Sequence, residues 1–302
     1  MKIALFYRIW FDTGEKLLAA AKKKGIELAP IQYNDLVLRQ NTQGSNSNPP
    51  LGWDILYRDK PLSEFGLFYF RAVGEATEWA SLLLVYAQEK KIPIVDEYLA
   101  AFGPVRRLKS ISGVFLAKNG ISCPRTDFVT SRNTLLAEIK KFKYPFVLKI
   151  SKGGRHGIGT LLVENQQILE RVIKGRIERT GFLLQEYIPN DGDYRLMVIG
   201  YQVLGGFKRQ KKEKKLVLSR SLGPSEGLKT IPKDVQEEAE KACRALKVEI
   251  ASVDMVIDER NGKPVIIEVN EAPQFDVFEK RTGIDVAEKI VEYLVEKAEK
   301  NV

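Results

Sequence analysis

Residues Val253–Pro273 read VDMVIDERNGKPVIIEVNEAP, two short apolar runs around a polar turn, Asp258 to Pro264. Asn-Gly between β-prone runs is a hairpin signal, though this loop is longer than the two-residue ideal. Side chains alternate faces along a strand, so Asp254, Val256 and Asp258 share one side, as do Ile266, Glu268 and Asn270. Pairing across the turn brings Asp254 beside Glu268 and Asn270. Carboxylates in otherwise apolar strands are costly unless something neutralises them. A hard divalent cation does so, and two carboxylates with an amide oxygen form a Mg²⁺-type ligand set. The same pattern also suits an amphipathic hairpin whose acids face water.

The rest of the chain sets the context. Its 302 residues suit two or three subdomains with a sizeable core. The apolar runs are too short for a membrane span, and MKIALFYRIWF, interrupted by Arg8, reads as a strand and not as a signal peptide. Two cysteines are too few for a disulfide framework, which suits a reducing cytoplasm. The net charge of +9 favours anionic ligands without choosing among them. Nucleic acid ranks last, because the basic run Lys208–Lys215 lacks interleaved aromatics and reads as a solvated loop. A single histidine excludes a His-rich metal site.

Strands are predicted at Lys2–Tyr7, Ile26–Ile31, Trp53–Tyr57, Leu67–Phe70 and Ile92–Val95, with helices at Asp12–Lys24 and Thr77–Lys91. This alternation argues for a small open α/β domain ending near Glu97, without a G-x-G-x-x-G fingerprint. The polar stretch Asn41–Pro50 reads as a mobile loop. Beyond it, helices are predicted at Phe102–Asn119 (ended by Gly120), Asn165–Thr180, Pro232–Leu246 and Gly283–Lys297. Strands are predicted at Phe146–Ile150, Thr160–Glu164, Phe182–Ile188, Arg195–Ile199 and Gln202–Arg209. Between two of these strands lies SKGGRHGIG (Ser151–Gly159), whose glycines allow backbone N–H groups to approach phosphates closely. It is not a Walker A loop, because G-x-x-x-x-G-K-[ST] is absent and a strand follows.

An acid on one strand, then Glu-x-Asn closing the next, with EVNEAP and EKRTGIDVAEKI (Glu279–Ile290) downstream, resembles the metal-binding end of the ATP-grasp fold. The close of the chain is similar to the RimK-like branch, ligases that add amino acids to carboxylates. RRLKSISGVFLAKNGISCPRT resembles the linker helix of that family, the Gly-rich turn resembles its lid, and FLLQEYI resembles its hinge. Together the pieces cover nearly the whole chain in the family's order.

The resemblance implies a mixed α/β (α+β) ATP-grasp fold. An N-terminal Rossmann-like pre-ATP-grasp domain would span 1–98, a central lid subdomain 99–184, and a C-terminal catalytic subdomain 185–302. Under it, Lys109 and Lys149 contact nucleotide, with Gly154, His156 and Gly157 in the lid. Gln185, Glu186, Tyr187 and Ile188 form the hinge that reads adenine and holds the ribose. In the D-x-R that opens the next strand, Asp193 contacts nucleotide and Arg195 supports the site. Arg209 faces the transferring phosphate, and Asp254, Glu268 and Asn270 hold Mg²⁺, with Mn²⁺ as a substitute. Catalysis then falls to Arg209 and Lys149 by positioning and charge, without a protein nucleophile. Arg8, Arg58 and Arg71, near predicted strand ends, are candidates for holding an acceptor carboxylate. The chain departs from the branch at LVLSRSLGPSEG (Leu216–Gly227), where relatives carry Arg-Ser-Asn and His-x-Gly-Gly. Ser219, Arg220 and Ser221 stand there in a shifted register, which puts glutamate specificity in doubt.

The expected activity is ATP- and Mg-dependent joining of a carboxylate, activated as an acyl phosphate, to an amine. The amine is an amino acid, a peptide or a small metabolite, and oligomeric state is open, a homo-oligomer included. The alternative is an ATP-binding regulatory protein that keeps the fold without the chemistry.

Overall fold

The opening run forms β1 (Lys2–Tyr7), and its residues Ile3 to Phe6 are fully buried, as expected of a parallel strand covered on both faces. This computed structural model describes residues 1–41, 52–104, 109–150, 160–174, 181–210 and 227–300. After β1 come α1 (Asp12–Lys23), β2 (Glu27–Gln32), β3 (Leu36–Asn41), β4 (Gly52–Tyr57), β5 (Lys60–Pro61), β6 (Leu67–Ala72), α2 (Thr77–Lys90) and β7 (Ile94–Val95). The order β2-β1-β6-β7 makes a parallel sheet, the expected open α/β unit. Strand β3 went unread in the sequence; with β4 and β5 it forms a small antiparallel sheet beside the main one. The loop expected over Asn41–Pro50 lies, after Asn41, outside the described residues.

After β7 comes a short helix, α3 (Glu97–Phe102), and the helix expected at Phe102–Asn119 is described over Lys109–Lys118 as α4, residues 105–108 lying outside the described residues. Gly103, at φ 72°, ends the first, in a region that favours glycine. Lys109 is the first described residue of α4. Next come β8 (Thr126–Val129), α5 (Arg132–Ile139), β9 (Phe146–Ile150), β10 (Thr160–Val163), α6 (Gln166–Lys174) and β11 (Phe182–Glu186). They build an antiparallel sheet of order β10-β9-β11-β8. Its core holds Leu135, Phe146, Leu148 and Leu184. Strand β11 runs through position 184/185, where the sequence places a subdomain boundary.

The third sheet, β13-β12-β14-β15, is antiparallel and carries the opening hairpin. Its strands are β12 (Gly192–Ile199), β13 (Gln202–Gln210), β14 (Ile250–Ile257) and β15 (Pro264–Asn270). Strand β13 runs one residue past the strand predicted at Gln202–Arg209, so the first residues of the basic run, Lys208 to Gln210, belong to it. Helix α7 (Lys233–Leu246) precedes the hairpin, and α8 (Asp276–Thr282) and α9 (Val286–Glu299) follow it. Within the turn, Asp258 N–H donates to the Lys263 carbonyl at 2.9 Å and Gly262 N–H to the Asp258 carbonyl at 2.7 Å.

Two joints hold the parallel sheet against this catalytic sheet. Helix α1 lies against α9, with Lys16 paired to Asp276 and Glu279 and Lys24 to Glu288 and Glu292. Ile3, Leu5 and Leu17 share a core with Phe207, Phe278, Ile290 and Leu294. At the second joint, buried Asp96 accepts the backbone N–H of Glu249 at 2.6 Å and of Ile250 at 2.9 Å through Oδ1. Glu249, also buried, accepts from Glu97 N–H, Tyr293 and Lys297. No helix among the described residues is long and apolar enough to cross a membrane.

Candidate active site

Directly opposed residues of an antiparallel ladder point to the same face. Phe207 opposes Arg195, Arg195 opposes Asp254, and Asp254 opposes Glu268, so one row of side chains crosses all four strands. One step along, Arg209 opposes Asp193; one step the other way, Ser252 opposes Asn270. Strict alternation had placed Ile266 with Glu268 and Asn270. A register shift between Asp254 and Met255 breaks that pattern. Ile266 turns into the main core, while Ile267 joins Ile188, Val256 and Val265 in a small apolar cluster. Asp258 also leaves the Asp254 group, bound in the turn by Arg260.

Arg195 donates Nη1 to both Asp254 oxygens at 3.1 Å and Nη2 to Ser252 Oγ at 2.9 Å. Arg209 donates Nε to Asp193 Oδ2 at 2.7 Å, binds it again through Nη2, and reaches Asp254 Oδ1 at 3.3 Å. Asn270 Nδ2 lies 3.5 Å from Asp254 Oδ2, and Lys109 Nζ lies 3.3 Å from Glu268 Oε1. Lys149, at the end of β9, is buried above the same carboxylates. Burial pushes its ammonium down to about 8, and Lys109 adds to this while Glu268 and Asp254 oppose it. Burial raises the Asp254 carboxyl, with Arg195 and Arg209 pulling the other way. The result is a floor of alternating charges, held by strands on one side and roofed by lysines from α4 and β9.

Seven expected residues therefore meet: Lys109, Lys149, Asp193, Arg209, Asp254, Glu268 and Asn270. The hinge group lies along and just after β11. Gln185 donates to Thr126 Oγ1 at 3.0 Å, and Ile188 packs in the small apolar cluster. Glu186 is held by Arg260 Nη1 at 2.6 Å, a pair that no local pattern announces. Gly154, His156 and Gly157 lie outside the described residues, as do Ser219, Arg220, Ser221 and most of the basic run. Of the three arginines proposed for an acceptor carboxylate, Arg8 pairs with Glu75 at 2.7 Å and Arg58 lies over the Tyr57 ring. Arg71 is buried, donating to Thr13 Oγ1 at 2.6 Å and to the Pro273 carbonyl at 3.1 Å. It braces the turn that follows Asn270.

The donor set fits a hard cation. Among the described residues no three His, Cys, Asp or Glu gather as a metal site; Asn270, whose amide lies 3.5 Å from Asp254 Oδ2, is a further oxygen-bearing side chain beside Asp254 and Glu268. Its amide oxygen reaches that position by a rotation exchanging Oδ1 and Nδ2, an assignment set by hydrogen-bond choice. Two carboxylates and an amide oxygen, already drawing guanidinium and ammonium groups, match oxygen-loving Mg²⁺.

The family described as the RimK-like ATP-grasp domain matches residues 106–294. A probable alpha-L-glutamate ligase of Vibrio atlanticus is 30% identical over 307 residues, covering 100% of this chain and 97% of that protein. The protein of the same description from Methanococcoides burtonii is 29% identical over 299 residues, covering 97% and 95%. Among solved structures, the ATP-grasp ligase PsnB complexed with minimal precursor, Mg and ADP superposes with a TM-score of 0.72 at 14% identity, covering 98% of this chain and 97% of that one.

Proposed function

Because this chain belongs to the RimK-like ATP-grasp family, we propose that it activates a substrate carboxylate with ATP and joins it to an amine. The enzyme is an ATP-grasp ligase that forms a C–N bond. The meeting of Asp254, Glu268 and Asn270 beneath Lys109 and Lys149 is the observation that carries this reading. Asp254, Glu268 and Asn270 would hold Mg²⁺, or Mn²⁺ in its place. Such a cation, when bound, neutralises phosphate charge and acts as a Lewis acid.

The chain's own residues supply the rest. Lys149 and Lys109 place two ammonium groups where nucleotide phosphates need them, and Lys149, being buried, acts in a low-dielectric setting where its charge counts for more. Arg195 fixes Asp254 in one rotamer through a two-oxygen contact, so the acid is positioned before substrate arrives. Arg209, anchored by Asp193, presents its guanidinium to charge developing on the transferred phosphoryl group. The substrate carboxylate attacks the γ-phosphate of ATP, and ADP leaves. The amine then attacks the acyl phosphate, the C–N bond forms, and phosphate departs with the activated oxygen. Residues 1–98, 99–184 and 185–302 serve as substrate-binding, lid and catalytic parts in this scheme. The cytoplasm is its compartment, consistent with the free thiols Cys123 and Cys243.

Glutamate is the first amino acid to test, from the names of the relatives. The experiment is ADP release from Mg-ATP across a panel of acids, each offered with and without amines. Release that requires one acid–amine pair supports the ligase. Saturable ATP binding with no release from any pair supports instead a regulatory protein that has kept the fold.

A further inference from the structure

Arg281, on the last turn of α8, is the guanidinium of this face that the charge pattern leaves over. Its Cζ lies 4.6 Å from the centroid of the Phe207 ring. Phe207 stands in the same row as Arg195 and Asp254 and two residues before Arg209 on β13, so Arg281 reaches the face that bears the active site. Its Nη1 is buried and has no hydrogen-bond partner among the described residues. Arg195 and Arg209 each have carboxylate partners, whereas Arg281 forms no ion pair among the described residues. At the β12–β13 end of this face the guanidiniums of Arg195, Arg209 and Arg281 stand with the carboxylates of Asp193 and Asp254, while Glu268, farther along the row, is paired with Lys109. The neighbourhood is cationic enough that burial and Arg209 together depress Arg281 below the usual arginine range.

The position is also built. A bridge joins Phe207 to Gly227, and a Cβ at Gly227 would stand 2.6 Å from the Arg281 carbonyl oxygen. Only glycine lets the chain pass so close, and that passage fixes the end of α8 against β13. A buried cationic nitrogen without an acceptor is costly, because it has given up water without a replacement. The cost disappears when a ligand brings the acceptor.

We propose that Arg281 seats a second carboxylate of the substrate, one that remains a carboxylate throughout the reaction. The sheet order decides between carboxylate and phosphate. Lys109, Glu268 and Asn270 mark the nucleotide side at β15, whereas Phe207 and Arg281 lie at β13, three strand spacings or about 14 Å away. Arg209 rises from β13 itself, two residues past Phe207, but its guanidinium reaches across to Asp193 on β12 and Asp254 on β14 and so stands between Arg281 and the nucleotide side. An anion beyond Arg209 therefore belongs to the acid being activated or to the attacking amine. A planar guanidinium stacked on an aromatic ring matches a carboxylate through two parallel N–H bonds. The substrate class that follows is an amino acid or dicarboxylic acid, not a simple monocarboxylate with a simple amine. This inference rests on the ligase reading for its location relative to the chemistry.

The test is calorimetric titration of wild-type, Arg281→Gln and Arg281→Lys proteins with L-glutamate, L-glutamine and isoglutamine in the presence of Mg-ADP. Thermal melting confirms that both variants fold. We expect wild type to bind L-glutamate and to lose tenfold or more in affinity for one of the two amides, which identifies the seated carboxylate. Arg281→Gln should bind glutamate at least tenfold more weakly and no longer distinguish it from that amide, with Arg281→Lys recovering part of the affinity. In turnover, the variant's raised KM should fall on the acid or on the amine, whichever carries that carboxylate. Unchanged binding or unchanged discrimination in Arg281→Gln overturns the proposal, as does wild type that binds none of the three. Arg281-dependent binding without ADP formation from any substrate pair would refute the ligase and leave the carboxylate seat standing.

Discussion

Asp96 offers a prediction whose size follows from its surroundings. It is fully buried, with Oδ1 accepting two backbone N–H groups and Oδ2 accepting none among the described residues. Glu249 and Glu271 face it as further acids, and among the described residues no cation forms an ion pair with it, Lys297 being engaged with Glu249 and Glu97. Burial, then Glu249, hold its carboxyl well above the usual value of 3.8. An acid with a raised folded pKa stabilises the native state most at low pH, where both states are protonated. That contribution is lost as pH rises toward the folded pKa. In the window where native Asp96 keeps its proton and the unfolded chain has lost it, stability falls by about 1.4 kcal/mol per pH unit. Asp96→Asn keeps the oxygen that accepts the two N–H groups and removes the ionisation. The unfolding free energy of the variant, from urea titrations over a series of pH values above 4, should therefore gain on wild type as pH rises, by up to about 1.4 kcal/mol per unit within that window. A difference that does not change with pH would refute the buried, protonated Asp96.

Three other substitutions probe other parts of the molecule. Lys297→Met leaves Glu249, fully buried, without its cation and should cost about 3 kcal/mol in urea unfolding, the lower end of the range for breaking a buried pair because Tyr293 and Glu97 N–H still donate. Gly192→Ala places a Cβ 2.2 Å from the Arg209 carbonyl oxygen at φ 152°. It should push β13 outward and cut turnover at least tenfold, while lowering stability by about 1–3 kcal/mol, as kinetics and melting together will show. Lys149→Ala removes a buried cation from the carboxylate cluster, and should weaken binding of a non-hydrolysable ATP analogue by tenfold or more in a fluorescence titration.

The catalytic hairpin was legible because its signal is local. Apolar alternation, the Asn-Gly turn and the acids at Asp254 and Glu268 are all read within twenty-odd residues, and the structure pairs them directly. The bulge at Asp254/Met255 was not legible, because it arises from how two strands accommodate each other, and it moved Ile266 away from the site. Helix α8 had usable signals, with acids in its first turn, Lys280 and Arg281 in its last, and Gly283 as its stop. Helix α5 had Ser131 as a cap, accepting from Thr134 N–H at 3.1 Å. Both went unread because helices of 8 and 7 residues are too short for an apolar periodicity to show. The pairs Arg260–Glu186, Arg71–Pro273 and Asp96–Glu249 join residues 74, 202 and 153 positions apart and have no local trace. They are decided by the packing of sheets on one another, which composition and periodicity do not encode.

That long-range packing also changes how the central claim is best tested. Asp254 is half of a buried pair with Arg195, so removing its side chain would leave a guanidinium uncompensated and confuse folding with chemistry. Asp254→Asn and Glu268→Gln preserve shape and hydrogen bonding. ADP formation should be measured in both against wild type over a Mg²⁺ titration, with the best acid–amine pair. The account predicts losses of about a hundredfold or more in both variants, only partly offset by high Mg²⁺, with folded melting profiles. ADP formation at the wild-type rate in either variant would contradict the assignment of these residues to the metal and nucleotide site.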